Sequence, residues 1–294
     1  MRATLSMIKD GAGLAVYDEK GNPRAALMVT KDGSTLGFHD EIGEVRFGLA
    51  VTKGGPRLHF YGENGKGRIT LGVDKDEPLL SVCDENDKRR IGLGMDKDGP
   101  QLCFYDENEK TRARLTVTKD IAGLAVCDEK GNPRAALNMI KDGAGWAVYD
   151  EKGNPRAALM VTKDESALAF HDEMGEVRFG LAVVEDKVGL DLRGQKEKAG
   201  INLSVTKDGP RLGFRDKNGK GRVWLAVDKS GPQLRFYNEK EMPRAILDVS
   251  KYGSSLTFSD ENRKLRAVLA VEDKSGPAME FYDESGKKTI WSAP

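Results

Sequence analysis

A repeat of 22 residues runs through this chain and limits it to a tandem fold. Thirteen repeats span all but a few of the 294 residues, and one residue is inserted in the last repeat. Arginine stands at one position of every repeat except the tenth, where Gly200 replaces it, and leucine follows three residues later. The leucine column comprises Leu5, Leu27, Leu49, Leu71, Leu93, Leu115, Leu137, Leu159, Leu181, Leu203, Leu225, Leu247 and Leu269.

The chain also contains an internal match that is longer than the 22-residue repeat. Residues 7–51 and 139–183 agree at all but five positions, at an offset of six repeats. We therefore predict one tandem β-hairpin repeat domain over 1–294, in which the block 7–138 is partly duplicated from 139 onward. Doubling a block is harmless in an array but would disorder a unique catalytic centre. The duplication therefore argues against an enzyme.

Apolar residues alternate with small or polar ones inside each repeat. Phe47, Leu49 and Val51 alternate with Gly48 and Ala50, a period of two that indicates a strand with one apolar face. Each repeat holds two such segments, separated by turn residues, and a helical period of 3.6 is absent. The sequence predicts an all-β protein with two short strands per repeat.

The turns predict how these strands pair. Asp32-Gly33 between two alternating segments is typical of a type I′ hairpin, and it would place Leu27 opposite Phe38 and Val29 opposite Leu36. A four-residue loop in the segment 39–44, with positive φ at Gly43, would place Phe38 opposite Phe47. Both turns then join antiparallel neighbours, and each repeat slips by two residues.

The predicted fold is about 13 tandem 22-residue β-hairpins in a continuous antiparallel meander. Because its Leu/Val/Phe face needs cover, we expect the sheet to be wound, closed or two-layered. A parallel solenoid is less favoured, since it would stack like charges about 4.8 Å apart. The alternative is a β-propeller with 44-residue, four-stranded blades, which the recurrence of tyrosine in every second repeat favours.

Composition removes several functional classes. Lys+Arg and Asp+Glu both number 47, so the formal net charge is zero and no overall field directs the chain to nucleic acid. No apolar segment is long enough to span a membrane, and no signal peptide is visible, which favours a cytoplasmic location. Three cysteines argue against a disulfide framework.

Motifs for catalysis and metal binding are missing from the sequence. Asp96-Lys97-Asp98-Gly99 followed by Glu107 is similar to a calcium loop, but a hairpin turn explains these residues. The three histidines are too few and too widely spaced to indicate zinc. We expect no catalytic residue, metal or cofactor, and no enzymatic activity.

The most distinctive polar pattern is a stripe of tyrosine and arginine. In the predicted register each tyrosine faces the arginine of the next repeat, either as a structural cross-strand pair or as part of a ligand surface. Asp and Glu flank every arginine, which favours the structural role. The predicted stripe comprises Tyr17, Arg24, Tyr61, Arg68, Tyr105, Arg112, Tyr149 and Arg156.

The Tyr-Asp-Glu-x-Gly-Lys turn resembles the YD repeats of bacterial RHS shell proteins, which are also tandem hairpins of similar period. The resemblance covers half of each repeat. The Lys-Asp-Gly turn and the leucine column are not that pattern, so the resemblance implies no site or partner here.

Two functional hypotheses follow. The first is a non-enzymatic structural protein that presents a repeated β surface and assembles with itself, as a homo-oligomer or filament, or with another protein. The second is a binding module for carbohydrate, peptide or protein along the Tyr/Arg stripe. The face opposite the leucines carries mostly small residues such as Ala15, Gly37 and Ala125, which permit close approach of another backbone.

Overall fold

The computed structural model describes residues 2–195, 198–274 and 276–291, and the side chains of 2–195, 198–274 and 276–288. These ranges contain 27 β-strands and no helix. The chain divides into two compact units, a first half, Met1–Gly153, and a second half, Asn154–Pro294. Each half is built of the same repeated hairpins, and the predicted single domain stays a prediction.

The first half contains the strands β1 (Arg2–Ile8), β2 (Gly11–Tyr17), β3 (Pro23–Thr30), β4 (Gly33–His39), β5 (Val45–Thr52), β6 (Gly55–Tyr61), β7 (Gly67–Asp74), β8 (Glu77–Cys83), β9 (Arg89–Asp96), β10 (Gly99–Tyr105), β11 (Thr111–Val117), β12 (Ile121–Cys127), β13 (Pro133–Ile140) and β14 (Gly143–Tyr149). The second half contains β15 (Pro155–Thr162), β16 (Glu165–His171), β17 (Val177–Val184), β18 (Lys187–Arg193), β19 (Gly200–Thr206), β20 (Gly209–Arg215), β21 (Gly221–Asp228), β22 (Gly231–Tyr237), β23 (Pro243–Ser250), β24 (Gly253–Ser259), β25 (Leu265–Glu272), β26 (Gly276–Tyr282) and β27 (Lys288–Trp291).

Strands follow one another in chain order within each half. β3 pairs antiparallel with β4, and β4 with β5, so Leu27, Leu36 and Leu49 lie side by side. In the described part of each half, a strand packs only beside its predecessor and its successor. This confirms the antiparallel meander and excludes the solenoid and the propeller blade. It also shows that the closed sheet was a wrong expectation for either half, since each half is an open sheet.

The first turn lies one residue earlier than predicted. Thr30 lies opposite Gly33, so Lys31 and Asp32 form the loop, and Leu27 faces Leu36 rather than Phe38. Two consecutive positive φ angles, the type I′ signature, occur instead at Lys75 (47°) and Asp76 (73°). The predicted pairs Leu27–Phe38 and Val29–Leu36 are therefore wrong.

Gly33 explains the difference, because it is a strand residue. Its φ is +152°, and a Cβ added there would lie 2.3 Å from the carbonyl oxygen of Val51 on β5. With this positive φ, the close approach of two backbones leaves no room for a Cβ, so the glycine serves the strand and not the loop. The sequence signal Asp-Gly is the same in both cases, so the sequence alone misplaces the loop.

The second turn agrees with the prediction over most of its length. Phe38 lies opposite Phe47, and Gly43 has a φ of +89°. A bulge then places His39 opposite Val45. Because Leu27 and Leu49 both oppose Leu36, equal positions align from repeat to repeat, and the expected two-residue slip is absent. Without this stagger the strands lack the shear that closes a barrel.

These registers place a leucine opposite a leucine on successive strands. We call this row the leucine ladder; in the first half it runs from Leu5 to Leu137 and ends at Trp146. Rows made mostly of Val, Phe, Ile, Ala, Met and Pro flank it on both sides, and ring contacts such as Phe47–Phe60 (centroids 5.3 Å apart) join neighbouring strands. We call these three rows the leucine face.

The leucine face is not a buried core. From Leu27 to Leu269 the exposed fraction of the leucine column lies between 40% at Leu181 and 51% at Leu71. The most buried side chains include Cys103 and Cys127, both at 6%, which lie on the opposite face. The expectation that leucine lines the core is thus wrong for the single chain, since a one-layer sheet has nothing to place over it.

We predict that a whole repeat can be removed without loss of folding. Deleting residues 90–111 takes out β9, β10 and the turn that follows, and joins two equivalent positions. Because each strand packs only beside its neighbours, stability should fall by about one repeat's share. Circular dichroism should retain a β-sheet spectrum with a lower melting temperature. An unfolded spectrum at 20 °C would contradict the open meander.

Candidate functional site

Most arginines of the column have an aspartate six residues earlier in the chain, and several pair with it. Arg90 Nη2 lies 2.7 Å from Asp84 Oδ2, across the turn that joins β8 to β9. The side chains involved are partly buried, at 34% exposure for Arg90 and 19% for Asp84. The same ion pair recurs along the chain as Arg46–Asp40, Arg112–Asp106, Arg178–Asp172, Arg222–Asp216 and Arg266–Asp260.

The same aspartate organises its turn. Asp106 Oδ1 accepts the backbone amides of Asn108 and Lys110, each at 2.9 Å. The Lys110 amide lowers the pKa of Asp106, partial desolvation raises it, and the Asn108 amide and Arg112 lower it further, so the carboxyl titrates below its ordinary range. A lowered pKa also marks Asp18, Asp40, Asp84, Asp128, Asp172, Asp216, Asp260 and Asp283.

Several column arginines also reach the turn of the next repeat. Arg112 Nε donates to the carbonyl oxygen of Cys127 at 3.2 Å, and Arg244 Nε donates to that of Ser259 at 2.6 Å. Arg112 thus joins an aspartate in the turn before its strand to a carbonyl in the turn after the next strand. The column ties consecutive turns together, which is a structural role.

The predicted Tyr/Arg pairs do not form in the predicted register. The bulge in each turn places Tyr17 opposite Pro23, Tyr61 opposite Gly67 and Tyr105 opposite Thr111. Predicted pairs such as Tyr17–Arg24 are therefore wrong as direct cross-strand neighbours. The guanidinium beside the Tyr105 ring is that of Arg89, 5.5 Å from the centroid.

The remaining stripe residues lie beside turns or in different halves. Arg24 lies close enough to Asp18 to lower the pKa of that carboxyl, after the larger effect of the Asn22 amide. Arg68 Nε lies 2.9 Å from the point that a Cβ on Gly62 would occupy, which places the arginine beside that turn. Tyr149 ends β14 in the first half and Arg156 lies on β15 in the second. Ligand binding along the stripe stays a prediction.

Concave surfaces occur on the face opposite the leucines, which we call the small-residue face. One groove of about 660 Å³ contains Gln101, Arg114 and Asn138. A second, of about 410 Å³, contains Arg57 and Tyr105. A third, of about 240 Å³ in the second half, is lined by Arg211, Trp224, Ala226, Asp228, Gln233, Arg235 and Tyr237.

Two ionisable groups on this face have pKa values shifted by burial. His59 has a pKa lowered by burial and by Arg57, and its Nδ1 is 3.1 Å from Thr70 Oγ1. Burial raises the pKa of the Cys127 thiol, which keeps it in the unreactive thiol form. Among the described residues, no group of three or more His, Cys, Asp or Glu could hold a metal ion. No helix able to cross a membrane is found there either.

Comparison with known proteins assigns this chain to no family. No protein-family profile and no curated protein matches the chain. Two matching solved structures are titled "Crystal Structure of TcdB2-TccC3-Cdc42" (11% identity, TM-score 0.17, 95% of this chain) and "Crystal Structure of TcdB2-TccC3" (11% identity, TM-score 0.20, 97% of this chain). The chain spans 20% of the length of each matched chain. Similarity at this level assigns no function.

The sequence alone missed two features of the surface. The first is the exposed leucine face, because apolar alternation predicts a face and not its cover. The second is the third groove, although a signal for it exists. Trp224 and Arg235 are large side chains at positions where other repeats carry residues such as Gly48 and Gly37. Departure from the repeat would have found them.

We predict that Arg112→Lys destabilises the protein. A lysine cannot join Asp106 and the Cys127 carbonyl at once, since it lacks the planar fork of arginine. The free energy of unfolding should fall by about 1 kcal/mol, measured by urea denaturation. Arg114→Lys, on the same face two residues later, is the matched control and should change stability by less than about 0.5 kcal/mol. Equal losses of stability in the two variants would contradict a structural role for the arginine column.

We also predict acid sensitivity from the turn aspartates. Their folded-state pKa values lie below the ordinary value, so their contribution is complete above about pH 4 and is lost as the pH falls through the lowered values. The melting temperature should stay level from pH 7 to pH 5 and fall below pH 4.

A single substitution tests this assignment. Asp128→Asn should lower the melting temperature at pH 7, and its difference from the unmodified protein should shrink as the pH falls below about 4. Asp142→Asn, in an exposed two-residue turn, is the control. A difference for Asp128→Asn that stays constant from pH 7 to pH 3 would contradict the assignment.

Proposed function

We propose that this chain is a structural, self-assembling repeat protein in which the leucine face of one copy packs against the leucine face of a second copy. The observation that carries the proposal is the 40–51% exposure of the column leucines from Leu27 to Leu269. Exposed apolar surface on this scale marks an interaction site in a soluble protein.

The surface area supports the same proposal. The chain exposes 20245 Å², whereas a compact monomer of 32.2 kDa exposes about 12,300 Å². The excess, about 7,900 Å², is larger than the roughly 2,000–5,000 Å² that obligate homodimers bury. A second sheet lying about 10 Å away would cover the three apolar rows of a half along their whole length.

Charge distribution favours a second copy as the occupant. In the described residues, the ladder and its two flanking rows contain no charged side chain, and the arginine and aspartate pairs lie at the turns or on the other face. A net charge of zero leaves no overall repulsion between copies. The leucine face can also pack against a copy of itself, since each half repeats the same apolar rows of Leu, Phe and Val.

The alternative, ligand binding along the Tyr/Arg stripe, has less support. Arg112 in that stripe is engaged by Asp106 and by the Cys127 carbonyl. A guanidinium held in this way has fewer donors to offer a ligand. The geometry therefore favours the first hypothesis over the second.

We predict that charge placed on the leucine face breaks the assembly. Light scattering coupled to size exclusion should give the unmodified protein a mass of at least twice 32.2 kDa. The double variant Leu115→Lys, Leu181→Lys loses about 2 kcal/mol of apolar burial per leucine and adds the cost of desolvating two ammonium groups. Its mass should fall to that of one chain.

The control is Thr116→Lys, one residue further along β11 and on the small-residue face. It adds one lysine to the strand that carries Leu115→Lys and should leave the mass of the assembly unchanged. Elution of the unmodified protein at 32.2 kDa, or dissociation by Thr116→Lys alone, would contradict the proposal.

A further inference from the structure

In the third groove, in the second half, large side chains stand at positions of the small-residue face where several other repeats carry small ones. Trp224 stands at the repeat position that Gly48 and Gly92 occupy, and Arg235 stands at the position of Gly37 and Ala125. The other repeats thus show that the fold does not require a large side chain at these positions. Neither the tryptophan nor the arginine is needed to form the hairpin.

Register brings these side chains together on three adjacent strands. Trp224 on β21 lies directly opposite Gly213 on β20 and Arg235 on β22. Three ring carbons of Trp224 lie 3.3–3.4 Å from the Cβ position of Gly213, so one ring face rests on that glycine. Trp224 also lines the groove, which Arg211 borders from the next row.

The two arginines of this groove lack the aspartate partner that column arginines such as Arg90 and Arg112 have. Arg235 Nε is closed off from solvent and has no hydrogen-bond acceptor. Within the described residues, neither Arg211 nor Arg235 forms an ion pair, whereas Asp228, the carboxylate in the groove, accepts a hydrogen bond from Gln233. A buried donor without an acceptor is costly, and native proteins rarely leave one unpaired.

We propose that this groove binds an acidic monosaccharide unit, such as a hexuronic acid. Its carboxylate pairs with the guanidinium groups of Arg211 and Arg235, the geometry that arginine suits best. The apolar face of the sugar ring lies on the indole ring of Trp224. Asp228 and Gln233 are placed to bond ring hydroxyls, since a carboxylate accepts and an amide both donates and accepts.

Size and charge favour this ligand over a phosphate compound. The groove holds about 240 Å³, about eight times the volume of one water in the liquid, which suits one sugar ring rather than a nucleotide. Asp228 adds a negative charge to the same groove. A single carboxylate tolerates that neighbour better than a doubly charged phosphate does.

Isothermal titration of the full chain with sodium glucuronate, glucose and inorganic phosphate tests the proposal. Glucuronate should bind, and glucose should bind at least about tenfold more weakly because it lacks the charge-assisted bonds. Arg235→Gln and Trp224→Thr should each weaken glucuronate binding about tenfold or more. Threonine is the residue at the equivalent position Thr70.

Arg57→Gln is the matched control, since Arg57 occupies the repeat position of Arg211 but lies in the first half. It should leave glucuronate affinity unchanged. Equal binding of glucuronate and glucose, phosphate binding as tight as glucuronate binding, or an equal loss in Arg57→Gln would each overturn the proposal. If Arg235→Gln loses its β-sheet spectrum, the outcome with Trp224→Thr decides.

Discussion

The structure depends on one constraint: the two turns of each repeat must return every leucine to the same row. Leu27, Leu36 and Leu49 align because the loop at Lys31-Asp32 and the bulged turn at residues 40–44 shift the register by compensating amounts. A change of one residue in either turn would send the next strand's leucine to the other face. The ladder, the small-residue face and the aligned ion pairs all follow from this compensation.

Sequence reasoning predicted the fold class because alternation and repeat length are properties of the chain itself. Phe38 opposite Phe47 and the positive φ of Gly43 were predictable, since turn parity and glycine chemistry are local. The loop at Lys31-Asp32 was not, because Gly33 is required by the carbonyl of Val51, a contact between strands. Burial was predicted on the wrong face, since alternation does not say whether a second layer exists.

The arginines divide into two groups with different chemistry. Arg112, in the column, is fixed between a turn aspartate and a backbone carbonyl at the end of the next strand. Arg211 and Arg235 stand on the sheet face without such partners. The sequence alone does not distinguish these two groups. The structure shows which arginines stabilise the repeat fold and which stand on its surface without that role. In a repeat protein, the positions that depart from the consensus are therefore the more informative ones.

The alignment of equal positions has a consequence for recognition between sheets. Because Leu27 and Leu49 oppose the same Leu36, a sheet displaced by one repeat, about 10 Å along the row, presents nearly the same apolar pattern. Two such faces can pack against each other at many offsets along the row with similar free energies. A unique offset must come from interruptions of the pattern, such as Trp146 in the ladder or Ser34 in its flanking row. In the proposed assembly, those few irregular residues would set the position along the row, while the regular ones would supply most of the buried apolar area.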